Sequence, residues 1–521
     1  MSLARNFATV GGATLVSRVL GFVRDIFLAA ALGTGPVADA FVVAFRFPNL
    51  FRRVFAEGAF NSAFIPLFSR RLEGEGDDAA RRFAQEAMAG LLFILAILTV
   101  IAIVTMPILM YGLAPGFAED RDKFDLAVDL TRITFPYLVL VSLMALVSGV
   151  LNGLGRFAAA AFAPVLLNVV LVAVLAWIVA SGLAGTRAAG LWLSVGVVVG
   201  GVAQLAMVVI ALRRAGFPLT LVRPRWNGRM KRLVTLGIPG VIAGGIIQIN
   251  IVVGTIIASM QAGAVTMLYL ADRLYQLPLG VVGIAIGVVL LPELSRRLKA
   301  GDMERAKAVE ARALQFSMML TLPAAVALAV IPLELVSVLF ERLAFDAESA
   351  RGTAAALRAF AFGLPAFVLV KVFSPGFFAR EDTVTPMKVG AAAVAVNVAA
   401  SLALFPFFGH VGIAIATSLA GWVNALLLYW LLNRRGLWTI DAAMARLLAL
   451  MGLSAALMGL CVWAAAQGLS GQLESGVALP VRAVALLVVV GAGVVSFFGF
   501  AHVTGAARLG MLRAMLVRGR A

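Results

Sequence analysis

Long apolar segments recur from one end of this sequence to the other. A helix needs about 20 predominantly apolar residues to cross the hydrocarbon core of a bilayer. Only 13% of the 521 residues are charged, against about 25% in a typical soluble domain. We therefore predict an all-α integral membrane protein with 14 transmembrane helices, in segments 8–32, 37–68, 83–112, 126–151, 158–181, 189–212, 233–260, 264–291, 311–340, 353–378, 384–407, 411–432, 442–467 and 478–503. We expect breaks in the second and in the seventh to tenth segments, which contain prolines or glycines.

Lysines and arginines gather in alternate connections between these segments. Examples are "SRRLEGEGDDAARR", "RRAGFPLTLVRPRWNGRMKR" and the tail "RLGMLRAMLVRGRA", whereas the intervening connections are short or acidic, such as "GFAEDRDKFD". Cytoplasmic loops of membrane proteins carry an excess of Lys and Arg. The pattern therefore predicts a multi-pass protein with both termini in the cytoplasm. It also accounts for the net charge of +17, so we predict no nucleic-acid partner.

The two halves of the chain resemble each other. "FIPLFSRRLEGEGD" (64–77) matches "LLPELSRRLKAGD" (290–302), and "GVLNGLGRFAAAAFAPVLLN" occupies the same place as "GFFAREDTVTPMKVGAAAVAVN". Matching segments lie six predicted helices apart, which gives both halves the same orientation in the membrane. Transporters with such parallel repeats bind substrate near the bilayer midplane between the halves. We predict an N-terminal lobe (1–217, helices 1–6), a C-terminal lobe (218–437, helices 7–12) and an accessory helix pair with a basic tail (438–521).

Charged side chains interrupt the first predicted helix, "LVSRVLGFVRDIFLAAALG". Counted from residue 8, Arg18 lies about 15 Å and Arg24 about 24 Å along it. Ser17 and Arg24 are seven residues apart, as are Arg18 and Asp25, so each pair shares a stripe of the helix. Each arginine near a helix centre opposes insertion by roughly 2.5–3.5 kcal/mol. Such residues persist where they are paired internally or face a water-filled cavity.

Other predicted helices carry internal charges as well. The second contains Asp39, Arg46, Arg52, Arg53 and Glu57, the eighth contains Asp272 and Arg273, and the tenth contains Lys371. One interpretation is structural: Arg24 pairs with Asp25, Arg52 with Glu57 and Arg273 with Asp272, while Asp39 and Arg46 reach the periplasmic headgroups.

The interpretation we favour is a cationic cavity that binds an anion, a phosphate or a diphosphate, because the guanidinium fork suits their oxygens. The predicted substrate-binding residues are Ser17, Arg18, Arg24, Asp25, Asp39, Arg52, Glu57, Arg273 and Lys371.

Metal-binding residue types are scarce in the sequence. There is one cysteine, Cys461, and there are two histidines, His410 and His502. This composition argues against a cysteine cluster or a histidine-rich metal site. Asn250 and Asn397 are best explained as interhelical hydrogen-bonding residues, with a monovalent-cation role as the weaker alternative. We predict no cofactor.

Three motifs make the chain resemble the MurJ (MviN) family of lipid II flippases, within the multidrug, oligosaccharidyl-lipid and polysaccharide exporter superfamily. They are "SRVLGFVRDIFLAAALG", "ADAFVVAFRFPNLFRRVFAEGAFNSAFIPLFS" and "YLADRLYQLPLGVVGIAIGVVLLPELS". The resemblance implies two six-helix lobes around a cationic cavity, with the last two helices forming a groove for an undecaprenyl tail. It places the family's functional arginines on Arg18, Arg24, Arg52 and Arg273, with Asp25 and Asp39 in the same motifs.

The resemblance also implies a function. The chain would be a transporter of the bacterial inner membrane that flips lipid II to the periplasmic leaflet by alternating access. It would work as a monomer among membrane lipids, in association with cell-wall synthesis proteins. The family's sodium site has acidic ligands where this chain has Gly254 and Ser401, which argues for the membrane potential as the driving force.

Three alternatives stay open at this stage. The first is a flippase for another polyprenyl-diphosphate glycan, since a diphosphate does not identify the attached sugars. The second is a multidrug antiporter, which would need carboxylates and aromatic residues for cationic drugs. The third is a membrane-embedded enzyme, which would need a general base or a metal.

Overall fold

The computed structural model describes residues 3–52, 61–225 and 227–506. Within these ranges the chain is helical, and its β-type pairing is limited to an isolated bridge between Arg342 and Phe345. The helices are α1 (Leu3–Leu32), α2 (Pro36–Arg52), α3 (Asn61–Gly74), α4 (Asp77–Val104), α5 (Met106–Leu113), α6 (Arg121–Thr134), α7 (Tyr137–Gly153), α8 (Phe157–Ala180), α9 (Arg187–Arg214), α10 (Gly228–Ser259), α11 (Ala264–Lys299), α12 (Met303–Val330), α13 (Pro332–Phe340), α14 (Ala347–Phe378), α15 (Val384–Phe408), α16 (His410–Arg434), α17 (Ala442–Gly468), α18 (Ser470–Leu473) and α19 (Leu479–Val503). The prediction of an all-α fold is confirmed.

Ten helical segments in the described ranges are long and apolar enough to cross a membrane. They are α4, α6 joined with α7, α8, α9, α12, α14, α15, α16, α17 and α19. The other predicted spans correspond to α1, to α2 with α3, to α10 and to α11. Of these, α1 carries three charged residues within its apolar stretch, Arg18, Arg24 and Asp25. A multi-pass membrane protein is confirmed, and the exact number of 14 spans stays a prediction.

The helix breaks differ from the expected ones. The third, fourth and ninth predicted spans are interrupted, at Thr105, at Phe135–Pro136 and at Ile331, and a proline lies within one residue of the start of each second helix. A break in the ninth span was predicted and is present. The breaks predicted in the seventh, eighth and tenth spans were wrong, because α10, α11 and α14 are continuous. Neighbouring helices can satisfy the backbone groups that a proline frees, so a proline does not always end a membrane helix. In the second span, α2 ends at Arg52 and α3 begins at Asn61, with 53–60 outside the described residues.

The helices pack into two compact units. Unit 1 contains α1 to α10, the first turn of α11 and the short segment 342–345, and unit 2 contains the rest of α11 and the later helices. The lobe boundaries at 217 and 437 rest on the internal repeat of the sequence and stay a prediction.

Each unit has its own aromatic core. In unit 1, the ring of Phe64 stacks on Phe68 and Phe83 at centroid distances of 5.7 and 5.5 Å. In unit 2, the rings of Phe373 and Trp438 lie 6.0 Å apart beside Tyr429. In unit 1, α1 packs along α8 and α2 packs along α6. These two helix pairs position most of the predicted site residues.

Candidate functional site

Arg24 lies inside α1 and is held by two side chains. Its Nε and Nη2 donate hydrogen bonds to Asp25 Oδ1 at 3.1 and 2.8 Å. Its Nη1 donates to Asn168 Oδ1 at 3.0 Å. The Asp25 side chain is 3% exposed and that of Arg24 is 14% exposed. The structural alternative of an Arg24–Asp25 ion pair is therefore present, and an amide from another helix adds to it.

Asn168 was not predicted as a site residue. It belongs to α8, is buried, and its Nδ2 donates to the backbone carbonyl of Ser17 at 3.1 Å. It therefore ties the side chain of Arg24 to the backbone of α1 two turns earlier. The sequence does contain a signal: Asn168 is the one amide side chain in the apolar helix 157–180, and it occupies the same place in the repeat as Asn397.

Arg18 has a different environment. It lies on the exposed surface of α1, next to Val19, which is 56% exposed. Within residues 3–52, 61–225 and 227–506, Arg18 has no hydrogen bond or ion pair, so its guanidinium is available to an external anion. Ser17 is half-buried on the same turn.

Arg52 lines a cavity of about 320 Å³ inside unit 1. Ser148 and Asn152 of α7 add polar groups to walls that are otherwise mostly apolar. Arg52 Nε donates to Asn49 Oδ1 at 3.1 Å, one turn earlier on α2. Two residues of the same motif, Arg53 and Glu57, lie outside the described residues, so the Arg52–Glu57 pair stays a prediction.

Asp39 is fully buried, at 0% exposure. Its carboxylate accepts hydrogen bonds from Lys123 Nζ at 2.8 Å, from the backbone N–H groups of Gly263 and Thr266 at 2.9 and 3.0 Å, and from Thr266 Oγ1 at 2.8 Å. The interpretation that Asp39 reaches the headgroup layer was therefore wrong, because this carboxylate is already neutralised and fully hydrogen-bonded inside unit 1.

Lys123 is the partner that sequence reasoning missed. It lies in the connection "GFAEDRDKFD", which was interpreted as an acidic loop, and its ammonium also stands 4.1 Å from the centre of the Phe117 ring. No local pattern links it to Asp39, 84 residues away. Lys123 and Asp39 together fix the start of α11 against α2 and α6, because Thr266 belongs to the first turn of α11.

The remaining predicted residues belong to unit 2 or to α10. The guanidinium carbon of Arg273 lies 4.7 Å from the centre of the Tyr269 ring, and the neighbouring Asp272 accepts a hydrogen bond from Gln276. Lys371 is exposed on α14, and its Nζ occupies space that a side chain on Gly283 would need.

The two cation candidates, Asn250 and Asn397, both carry amide side chains. Asn397 is 6% exposed and Ser401 lies one turn later on α15, while Asn250 is half-buried on α10. In the part of the chain that the structure describes, no three His, Cys, Asp or Glu side chains form a group that could hold a metal. A monovalent-cation site at Asn250 or Asn397 stays a prediction.

The predicted residues thus fall into separate groups. In unit 1, Arg24, Asp25 and Asn168 form one group, Arg52 lines a cavity, and Asp39 belongs to a buried ion pair. Arg273 belongs to unit 2. The shared four-arginine cavity stays a prediction.

Comparisons with known proteins agree with this fold. The sequence profile of a family described as "Lipid II flippase MurJ" matches residues 28–481. A relative from Rhizobium meliloti (strain 1021), described as "Probable lipid II flippase MurJ", is 49% identical over 520 residues, which is 100% of this chain and 97% of that one.

Two solved structures are similar as well. One is a lipid II flippase MurJ in an inward closed conformation, with a TM-score of 0.78 and 22% identity over 95% of this chain and 98% of that chain. The other is an inward-facing multidrug resistance transporter of the MATE family within the MOP superfamily, with a TM-score of 0.64 and 17% identity over 82% of this chain and 96% of that one. At these identities the two structures show the shared fold.

Proposed function

Because the chain belongs to the MurJ family of lipid II flippases, we propose that it moves lipid II from the cytoplasmic to the periplasmic leaflet of the bacterial inner membrane. The family carries a lipid across a membrane and does not convert it, so the chain is a transporter and not an enzyme.

The observation that carries this proposal is the environment of Arg24. A guanidinium inside a membrane helix is costly and is retained where it serves a function. Arg24 is oriented by Asp25 and by Asn168, and Arg18 lies two turns away on the exposed surface of the same helix. Guanidinium groups form paired hydrogen bonds to phosphate oxygens. This arrangement suits the diphosphate of lipid II.

We infer the following cycle. The headgroup of lipid II cannot cross hydrocarbon unaided, because its charges, hydroxyls and amides would lose their hydration. Arg18, Arg24, Arg52 and Arg273 bind the diphosphate in a cavity open to the cytoplasm, while the undecaprenyl tail stays outside along the accessory helices α17 and α19. The two predicted lobes then rock, and the headgroup is released on the periplasmic side. Both termini stay in the cytoplasm, and one copy of the chain suffices.

The membrane potential supplies the driving force in this proposal. With the cytoplasm negative, outward movement of an anion is favourable by about 2.3 kcal/mol per charge per 100 mV. The chain has Gly254 and Ser401 at the positions where the resemblance places the acidic ligands of a sodium site, so the cycle needs no sodium ion. Full transport in vesicles after the potential is collapsed, with no ion gradient present, would contradict this part of the proposal.

The test uses the purified chain in lipid vesicles with labelled lipid II. We expect the label to change leaflet while its chemical identity stays the same. A product of altered mass would indicate an enzyme. Equal transport of a polyprenyl-diphosphate that carries a different glycan would favour the broader flippase alternative. Transport of a cationic drug with no movement of lipid II would favour an antiporter.

A further inference from the structure

We propose that Asn168 is a positioning residue for Arg24, which keeps this guanidinium oriented towards the anionic headgroup without neutralising its charge. The inference rests on the proposed function, because it assigns a role in headgroup binding to a residue of α8 that itself carries no charge.

The geometry of Asn168 supports two simultaneous hydrogen bonds to α1. Its carbonyl oxygen accepts from Arg24 Nη1 at 3.0 Å, and its amide nitrogen donates to the Ser17 carbonyl oxygen at 3.1 Å. The donor bond fixes the orientation of the amide, so that the oxygen faces Arg24. At 6% exposure, Asn168 is held in place by the packing of α8 against α1. Asn168 therefore links the backbone of α1 at Ser17 to the guanidinium of Arg24 and keeps the two in a fixed relative position.

An amide at position 168, in place of a carboxylate, affects how strongly Arg24 can attract an anion. Asp25 already provides a carboxylate at 2.8 Å from Arg24. A second carboxylate in the place of Asn168 would compete with the diphosphate for the same guanidinium. A neutral acceptor fixes the direction of the Arg24 side chain and leaves more of its charge to attract an anion.

A purely structural role would be shared by other buried amides that join helices. Gln204 of α9 is the matched case: it is 2% exposed, its Nε2 donates to the Ala163 carbonyl oxygen at 3.0 Å, and its Oε1 accepts from Tyr137 Oη at 3.3 Å. Gln204 joins helices of the same unit, and among the described residues its hydrogen bonds go to Tyr137 and Ala163 and not to a predicted arginine. The variant Gln204→Leu is therefore the control for Asn168→Leu.

The first measurement needs no cargo. Phenylglyoxal modifies guanidinium groups, and peptide mapping by mass spectrometry gives the rate at each arginine of the full-length protein in detergent. We expect Arg18, which is exposed, to react faster than Arg24 in the unmodified chain. Asn168→Leu should raise the Arg24 rate several-fold, whereas Gln204→Leu should leave it unchanged. An Arg24 rate that is the same in all three proteins would overturn the proposal.

The second measurement is the affinity for lipid II, with the unfolding temperature recorded for every variant. Asn168→Leu should weaken binding by about tenfold, because the Arg24 guanidinium loses the contact that orients it before the lipid binds. Asn168→Asp should also weaken binding while Arg24 stays protected from phenylglyoxal, because the new carboxylate holds it in place. Both variants would therefore bind lipid II more weakly, but only Asn168→Leu would make Arg24 more reactive towards phenylglyoxal. A variant that had merely lost its structure would not show this difference.

A double-mutant cycle completes the test. The double variant Arg24→Ala/Asn168→Leu should bind lipid II no more weakly than Arg24→Ala alone, because Asn168 acts through Arg24. Additive losses would overturn the proposal, as would equal losses in Asn168→Leu and Gln204→Leu. If the unmodified chain does not bind lipid II, the proposed function fails, and the phenylglyoxal rates still decide whether Asn168 positions Arg24.

Discussion

At the scale of single residues, charges inside the helices are held by partners that are distant in the sequence. Asp39 is neutralised by Lys123, and Arg24 is oriented by Asn168, 144 positions later. A charge buried without its partner is strongly destabilising, since it loses its hydration and gains nothing in return. These contacts therefore decide which charges stabilise the fold and which remain available to a ligand.

Removal of the Lys123 ammonium should show how much stability is lost when a buried charge has no partner. Lys123→Met leaves the fully buried Asp39 carboxylate without its cation, and we expect a loss of about 3–5 kcal/mol in the free energy of unfolding. The matched control is Arg187→Met, which breaks the half-exposed ion pair with Asp129 and should cost about 0–1 kcal/mol. Thermal unfolding in detergent measures both. Equal losses would contradict a structural role for the buried pair.

The sequence predicted only part of this residue-level arrangement. The adjacency of Arg24 and Asp25 made their pairing a natural alternative, and it is present. The Asp39–Lys123 pair could not be predicted, because ion pairs between distant segments leave no periodic signal in a single sequence. The burial of Asp39 could not be predicted for the same reason: burial of a carboxylate depends on whether a remote cation reaches it.

At the scale of helices, the ends are determined by close backbone contacts. α1 ends at Leu32, and the next residue, Gly33, has a φ of +66° in the left-handed region. A Cβ atom at this position would stand 2.2 Å from the carbonyl oxygen of Ala344, and the Ala344 N–H donates to the Ala30 carbonyl oxygen at 3.2 Å. Segment 342–345 can therefore reach the end of α1 only because residue 33 has no side chain.

Gly33→Ala tests this close approach. A left-handed residue other than glycine costs about 1–2 kcal/mol, and the contact with the Ala344 oxygen adds to it. The control is Gly216→Ala, at the end of α9, where φ is +77° and a Cβ atom would have no neighbour within 4 Å among the described residues. We expect Gly33→Ala to lower the unfolding temperature more than Gly216→Ala does. If both variants lowered it equally, the backbone conformation alone would explain the glycine.

The start of α15 depends on a carboxylate outside the membrane-spanning segments. Asp382 Oδ2 accepts from Thr385 Oγ1 at 2.6 Å, Asp382 Oδ1 accepts from Thr385 N at 2.9 Å, and Arg435 Nη1 donates to Oδ2 at 2.7 Å. These hydrogen bonds, from Thr385 first and then from Arg435, lower the pKa of Asp382 to about 2. Its ordinary value in an unfolded chain is about 3.9.

This difference predicts a pH dependence. Because the pKa of Asp382 is lower in the folded state, its contribution to stability is complete above about pH 4 and is lost as the pH falls towards 2. Asp382→Asn should therefore unfold at a lower temperature than the unmodified chain at about pH 5 to 7, and the gap should close near pH 2. Unfolding temperatures measured across this range are the check. A gap of constant size would contradict the assignment.

The positions of the helices could largely be predicted, and their breaks could not. Apolar length alone located α4, α8, α9 and the later spans, because crossing hydrocarbon requires about 20 apolar residues. Whether a proline breaks a helix depends on neighbours that can satisfy the freed backbone groups. For this reason α11 and α14 continue through two prolines each, whereas α12 gives way to α13 at Pro332.

At the scale of the whole molecule, the multi-pass helical fold agrees with what hydropathy predicted, and membership of the family agrees with what the resemblance of the three motifs implied. The gathering of four arginines around one cargo stays a prediction. Three of them, Arg18, Arg24 and Arg52, belong to unit 1, whereas Arg273 belongs to unit 2. The proposed function depends on this gathering, since each guanidinium must reach the same diphosphate during transport.

The most direct test is the accessibility of lipid II at the outer surface of cells depleted of their own flippase. With the unmodified chain, we expect an external reagent that attacks lipid II to reach it. Arg18→Ala, Arg24→Ala, Arg52→Ala and Arg273→Ala should each abolish this accessibility at equal abundance in the membrane. Arg213→Ala, an exposed arginine on α9, should have no effect. Unchanged accessibility in all four arginine variants would contradict diphosphate binding by these arginines during transport.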